Sequence, residues 1–383
     1  MVKSKPHIGV LLSGGEKFSP YFGGAIARWT YEVYRRLSDD VDVTVYGVTT
    51  KEKDKYQLSH FDNLATLPLA IISKIPFVRR AGEMLWFLGM WHDLKRKDII
   101  HVQNRPRWVS RLRRLGYQGK IILHMHNPHL GRENVEFLDR LAGEVDVVVT
   151  CSKYLASQFR SKSECLAKCS KVVYNGADIE LFKPDSSMRR IGAVIYNGRL
   201  HPEKGVDVLL DAFEIVIRKL PYVTLTICGG SNFGSNEEND YIKSLHKKAE
   251  SLNRIHSNAV TFTGYISHNE LSELFQKSHL FVSPSRVDDS FPLAVIEAMA
   301  AGLPVIGTRR GGIPEAIGDG GLLVDKDNVD ELAAVIELVI SDKNLSEKLS
   351  KESLSRVHTM FTWDIIAEQW RNILLSDNSC NYN

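Results

Sequence analysis

The stretch HLFVSPSRVDDSFPLAVIEAMAAG, residues 279–302, opens with an unbroken apolar run, crosses a short polar loop and ends in a helical pattern. An apolar run without alternation marks a strand buried on both faces, as a parallel sheet covered by helices requires. Pro292 suits the first helical turn, whose N–H groups have no intrahelical partner, and Gly302 suits the helix end. Asp289 then lies in the strand-to-helix loop, and Glu297 lies eight positions on, in the helix. Ser290, Phe291, Pro292 and Leu293 would line a ligand held between the two acids, with the amides at the helix start directed at it. Carboxylates accept pairs of hydroxyl hydrogens, such as those of ribose or a hexose. Glu297 sits among small apolar residues, so it is expected to be buried and to need a partner.

The same strand–helix unit recurs outward from this stretch. HIGVLLSG (7–14) leads to a helix over residues 24–37 and then to VDVTVYGV (41–48), followed by DIIHVQN (98–104), KIILHMHN (120–127) and VDVVVTCS (145–152). After a polar, proline-bearing connection within residues 170–192 the pattern restarts with AVIYNGR (193–199), VTLTICGG (223–230), AVTFTGY (259–265), LFVSPS (280–285), GLPVIGTR (302–309) and GGLLVD (320–325). Two doubly wound α/β halves are expected, with ligands at the carboxyl ends of the strands. The expected division is residues 1–185, residues 186–360, and a last helix within 361–383 that packs back on the first half. A chain of 383 residues is long enough for two such domains.

The formal net charge of +3 argues against a dedicated nucleic-acid binder. The charge is uneven, however. Residues 79–120 hold eleven Lys and Arg against three Asp and Glu, an excess of +8, so the rest of the chain sums to −5. Arg79, Arg80, Arg111, Arg113 and Arg114 are therefore candidates for contact with phosphate, anionic lipid or an acidic acceptor, with a solvated face as the plainer reading. AGEMLWFLGMWHDLKRK (81–97) reads either as a helix on a membrane surface or as a core-facing helix. No run reaches the length of a membrane span. Of five cysteines, Cys151 and Cys228 end apolar runs and read as buried thiols, which implies a reducing, cytoplasmic setting.

Three further groups of residues could carry chemistry. In FSPYFGGAIARW (18–29), Gly23 and Gly24 precede an amphipathic helix and suit either an anion at its start or a simple tight turn. No G-x-G-x-x-G follows the first strand, which argues against a nicotinamide or flavin dinucleotide. In HMHNPH, His124 and His126 share a face while the strand lasts, and His126 lies nearer its carboxyl end. A zinc reading lacks a nearby carboxylate or cysteine, and a structural histidine is the plainer alternative. In GRLHPEKG (198–205), Arg199 and Lys204 flank a turn, so their cationic tips can converge on phosphate. Asp40-Val-Asp42 has the form of a D-x-D metal motif, but it introduces an early strand and reads as structural.

Together these motifs resemble retaining glycosyltransferases of the family 4 type, with a GT-B fold of two Rossmann-like domains facing each other across a cleft. The resemblance spans nearly the whole chain. It is strongest in YNGRLHPEKGVDVLLDAF (196–213), the run from Val260 to Ile317 and GGLLVD, and upstream it resembles bacterial surface-polysaccharide and spore-coat members. It implies that Gly23 and Gly24 approach the donor diphosphate and that His126, with His124 as runner-up, stands near the transferred sugar. Arg199 and Lys204 would bind the diphosphate. Asp289 would meet donor-sugar hydroxyls, Glu297 the ribose, and the backbone of Gly264, Tyr265 and Ile266 the base. Asp289 departs from the Glu usual at that position and is one methylene shorter. The implied reaction moves a hexose from a nucleotide sugar, UDP-sugar first, to a hydroxyl of a glycan or lipid-linked acceptor. It proceeds by front-face displacement, with no cofactor and no essential metal. The implied location is cytoplasmic, peripheral on the inner face of the cell membrane. The rival readings are a nucleotide-sugar 2-epimerase, which would act without an acceptor, and a non-catalytic coat-assembly protein, which would not need the donor.

Overall fold

The computed structural model describes residues 5–13, 16–20, 24–48, 56, 61–66, 85, 87–231 and 239–376. Gly23, Arg79 and Arg80 lie outside these. The chain forms two compact units, one of residues 1–174 with 366–383 and one of residues 175–365.

The first unit is built on a seven-stranded sheet, every neighbouring pair parallel, in the order β3-β2-β1-β4-β5-β6-β7. Its strands are β1 His7–Leu11, β2 Asp42–Val48, β3 Phe61–Thr66, β4 Ile99–Gln103, β5 Lys120–Met125, β6 Val147–Thr150 and β7 Ser170–Val172. The second unit has six parallel strands in the order β10-β9-β8-β11-β12-β13. These are β8 Ala193–Asn197, β9 Thr224–Cys228, β10 Val260–Gly264, β11 Leu280–Ser283, β12 Val305–Thr308 and β13 Gly321–Val324. Both orders wind outward from a central pair and then reverse, β1 beside β4 and β8 beside β11. Crevices at the carboxyl ends of such pairs are where this architecture takes ligands.

Helices cover both faces because the strands leave no polar face to solvent. Every residue of β4 and of β6 is buried. Helix Val206–Lys219 buries Val206, Leu209, Leu210, Phe213, Val216 and Ile217, the spacing of one helical stripe, in the core of the second unit. The helical residues 87–94 resolve an ambiguity of the sequence: Phe87, Met90 and Leu94 are buried in the first unit's core, while Leu85 and Leu88 face solvent. The segment is thus core-facing on one side. Among the described residues no helix is long and apolar enough to cross a membrane. Cys151 and Cys228 are buried free thiols, as their place at the ends of apolar runs implied; Cys165 is also free, and Cys169 is disulfide-bonded.

Two interior positions of the first sheet are histidines. His101 and His124 are fully buried beneath Trp29 and Tyr34 of helix Ala25–Arg36 and Trp370 of helix Trp363–Leu375. Tyr34 Oη lies 3.0 Å from His101 Nδ1 and accepts from Trp370 Nε1 at 3.2 Å. Trp29 meets Trp370 edge-on at 4.8 Å and His124 at 4.5 Å. The last helix is further tied down by Lys120, whose Nζ donates to the carbonyls of Ile373, Leu374 and Ser376 at 2.6, 3.2 and 2.7 Å. Orphan carbonyls at a helix end are thereby satisfied by a cation that also suits the helix dipole.

Burial pushes both histidines well below the usual imidazole range, His126 adding to the effect at each. The folded chain therefore keeps them neutral while the unfolded chain takes up protons below about pH 6.5. Their contribution is intact above that pH and is lost as pH falls, at about 1.4 kcal/mol per pH unit for each extra proton bound on unfolding. Urea midpoints followed by tryptophan fluorescence should fall steeply from pH 7 to pH 5, and His124→Phe should flatten that slope. An unchanged slope would contradict the assignment.

Candidate functional site

In the second unit the chain leaves β8 toward one edge of the sheet and leaves β11 toward the other. The two departing loops, residues 198–205 and 284–292, therefore meet at the reversal point. Lys204 Nζ lies 2.6 Å from Asp289 Oδ2, each side chain about one-fifth exposed. The backbones are equally close. Arg286 N donates to Glu203 O and Arg286 Nη1 to Pro202 O, both at 2.8 Å. Arg286 also forks onto Asp207 at 2.8 and 2.7 Å and pairs with Asp327. Gly205 has φ +69°, and a Cβ there would stand 2.1 Å from Pro284 O. Only glycine lets the two loops approach this far.

A third loop holds Asp289 from its other side. Gly312 N donates to Asp289 O at 2.6 Å, and Arg310 pairs with Asp288 at 2.9 Å. Gly311, at φ +56°, lies so close that a Cβ would reach within 2.3 Å of Asp289 O. The carboxylate is thus aimed by a backbone gripped by its neighbours, with Lys204 as its partner. Arg199 is exposed on the first loop, and among the described residues it has no ion-pair partner. Its carbonyl accepts from Tyr196 Oη at 3.0 Å.

Glu297 lies on helix Leu293–Ala300 and is 3% exposed. The start of this helix is fixed by Asn175 Nδ2, which donates to Phe291 O at 3.1 Å. Its end is fixed by Arg189, which donates to the carbonyls of Ala301 and Gly302 at 2.9 Å each. Ser290, Pro292 and Leu293 are half-buried along the loop, and Phe291 is buried. Gly264 ends β10 on the same carboxyl edge, with Tyr265 exposed and Ile266 half-buried beyond it. β10 is two strands from β8, about 10 Å at the usual strand spacing. One edge therefore carries a cation–carboxylate pair, a buried acid and an exposed loop.

In the first unit β5 ends at Met125, so His126 is the first residue past the strand. Its Nε2 lies 2.9 Å from Gln103 Oε1 and its backbone N donates to Asn104 Oδ1 at 2.6 Å. Gln103 Nε2 donates in turn to Thr30 Oγ1, which orients the amide and leaves its oxygen to accept the imidazole proton. Burial pushes the His126 imidazole down to about 3. The ring is neutral, with its proton on Nε2. His124 is packed behind it in the aromatic cluster, its ring 4.0 Å from that of His126. Among the described residues no group of three or more His, Cys, Asp or Glu is placed to hold a metal ion.

Gly24 caps helix Ala25–Arg36, and its N–H donates to Glu16 Oε1 at 2.8 Å, with Ala27 N at 3.3 Å from the same oxygen. The helix start thus already holds a carboxylate of the chain itself. Burial raises the pKa of Glu16 despite these bonds. Nothing in the sequence marks Glu16.

The basic segment divides in two. Arg113 does not face outward: its fork donates to Glu144 O, Tyr117 O, Gly119 O and Asp146 Oδ2 at 2.7–2.9 Å. The expectation of membrane contact through Arg113 is corrected accordingly, because its donors stitch two loops of the unit together. Arg111 and Arg114 instead line a cleft of about 920 Å³ at the carboxyl ends of β4 and β5. Arg105 and Arg107, which belong to the same basic segment, line it too, and so does Arg140, which lies outside that segment.

Two Rossmann-like units, each built on one parallel sheet with its reversal point, are the class of fold found in GT-B glycosyltransferases. A family model for group 1 glycosyl transferases matches residues 190–356, and one for glycosyltransferase family 4 matches residues 22–181. Spore coat protein SA of Bacillus subtilis (strain 168) is 30% identical over 374 residues, covering 90% of this chain and 93% of the relative. A GDP-mannose-dependent alpha-(1-6)-phosphatidylinositol monomannoside mannosyltransferase of Mycobacterium tuberculosis (strain ATCC 25618 / H37Rv) is 27% identical over 288 residues, 70% of this chain and 72% of the relative. The crystal structure of HepE from Anabaena with UDP and glucose is similar in fold, with TM-score 0.73 and 20% identity over 97% of this chain and 100% of that one. The chain belongs to the family 4 type of GT-B glycosyltransferases.

Gly205→Ala should destabilise the second unit by on the order of 2–4 kcal/mol, since it combines a positive φ with a backbone clash. Denaturant titration should find this loss, and a wild-type midpoint would contradict the loop packing described.

Proposed function

We propose that this glycosyltransferase moves a hexose from a UDP-sugar, with retention and without a metal, to a hydroxyl of a glycan or lipid-linked acceptor in surface-polysaccharide or glycoconjugate synthesis. The observation that carries the reading is the Lys204–Asp289 pair at the reversal point of the second sheet, with the buried Glu297 on the helix that follows. A donor diphosphate beside Lys204 and Arg199 gains charge-assisted hydrogen bonds that strengthen as the leaving group acquires charge. Asp289 accepts from sugar hydroxyls, Glu297 from the ribose, and Gly264, Tyr265 and Ile266 line the base.

Because Asp289 already pairs with Lys204, donor binding exchanges one partner of the ammonium for another and keeps its aim. The sugar–diphosphate bond loosens toward an oxocarbenium-like state, and the acceptor hydroxyl attacks from the face the diphosphate leaves. Its proton passes to a diphosphate oxygen. His126, kept neutral by burial, can hold a hydroxyl by a hydrogen bond without adding charge. UDP is favoured by the complex of the similarly folded HepE with UDP and glucose, while the mycobacterial relative is named for GDP-mannose.

Nucleotide release measured across UDP-, GDP- and ADP-sugars should favour UDP. Lys204→Ala and Glu297→Ala should each weaken UDP binding at least tenfold in calorimetry, about 1.4 kcal/mol or more. Unchanged binding in both variants would overturn the site. A new epimer formed from the donor without acceptor would overturn the reaction.

A further inference from the structure

The arginine cleft of the first unit is not accounted for by donor binding. It holds Arg105, Arg107, Arg111, Arg114 and Arg140 against Glu133 and Glu136, an excess of +3 from five cations and two anions. Structural arginines are normally answered by carboxylates or carbonyls, as Arg113 is on helix Pro106–Arg114, which also carries Arg107, Arg111 and Arg114. Most of those in the cleft are held differently. Arg105 lies over the ring of Trp108, and Arg107 and Arg140 both lie over Phe137, at 5.4–5.8 Å. Stacking on an aromatic face fixes a guanidinium while leaving its in-plane N–H donors open. Of the five, Arg107 has Glu133 at 3.4 Å. Among the described residues Arg105, Arg114 and Arg140 have no carboxylate within ion-pair distance.

The cleft is also well placed. Asn104 lines it, and the same side chain receives the His126 backbone N–H, so the cleft begins where the His126 loop begins. Its volume of about 920 Å³ is sufficient for a phosphorylated saccharide. Planar forks presented on rigid rings suit the tetrahedral oxygens of a phosphate better than a lone carboxylate, which one fork would satisfy.

We propose that this cleft is a subsite for a phosphate or diphosphate group carried by the acceptor. The proposal rests on the reading of the chain as a glycosyltransferase with its acceptor on the first unit. It narrows the acceptor to phosphorylated molecules, whether lipid-linked or soluble.

The test uses the full chain with Lys204→Ala, so that the donor diphosphate site does not compete for the probe. Calorimetry with inorganic pyrophosphate should detect one remaining site that weakens as salt is raised. Adding Arg105→Gln with Arg140→Gln should weaken it at least tenfold, whereas Arg254→Gln, on an exposed face of the second unit, should not. Arg114→Gln alone provides a second variant, expected to weaken binding several-fold, should the multiple variant fail to fold. Geranyl diphosphate binding more tightly than pyrophosphate identifies a lipid-linked acceptor, and equal affinity a soluble one. Absence of any site, or a site indifferent to the cleft substitutions, overturns the proposal. With Lys204 intact, the cleft variants should still bind UDP, so a failure of the donor reading would register separately in the UDP titrations.

Discussion

Parallel strands packed from both sides impose one constraint on everything else in this protein: polar groups can be used only where the sheet stops. Helices cover both faces of each sheet, so side chains that must meet water or a ligand collect at the carboxyl edges. His126, Arg199, Lys204 and Asp289 all stand in segments that leave a strand. The exceptions test the rule. His101 and His124 lie within strands, and each is enclosed by aromatic rings and held neutral by burial. A charged group at either place would face a desolvation penalty that nothing nearby offsets.

The second consequence concerns loop–loop distance. Lys204 and Asp289 are 85 residues apart in the chain, and they meet because β8 and β11 are neighbours while their connections diverge. Gly205 and Gly311 remove the side chains that would hold the loops apart. The loop packing itself thus holds the pair together. Preformed geometry of this kind lowers the ordering cost of binding.

Much of this was legible in the sequence, for identifiable reasons. The unalternating runs gave away parallel strands, and Pro292 and Gly302 bracketed their helix. The burial of Glu297 followed from its apolar neighbours. The pairing of Lys204 with Asp289 was not legible, because strand order rather than local pattern brings them together. Nor was the inward turn of Arg113, whose partners are mostly backbone carbonyls that no sequence pattern reveals. The basic segment was visible, but the stacking of Arg105 and Arg107 and the contribution of Arg140 were not, because cation–aromatic contacts depend on which side chains the fold brings together. Strand alternation put His124 and His126 on one face, and only the end of β5 at Met125 separates the buried ring from the one at the edge. Cys169 could not be distinguished from the free thiols by spacing alone.

The return of residues 366–376 to the first unit makes the order of synthesis matter. The surfaces of Trp29, Tyr34 and His101 leave the ribosome early, whereas Trp370 and the carbonyls that Lys120 grips follow only after the second unit has been made. Until then the first unit lacks part of its aromatic roof and the second unit is the one whose core can close first. Maturation of this enzyme therefore waits on helix Trp363–Leu375, and a nascent chain stalled or clipped before it would display an uncovered apolar face to the folding machinery of the cell.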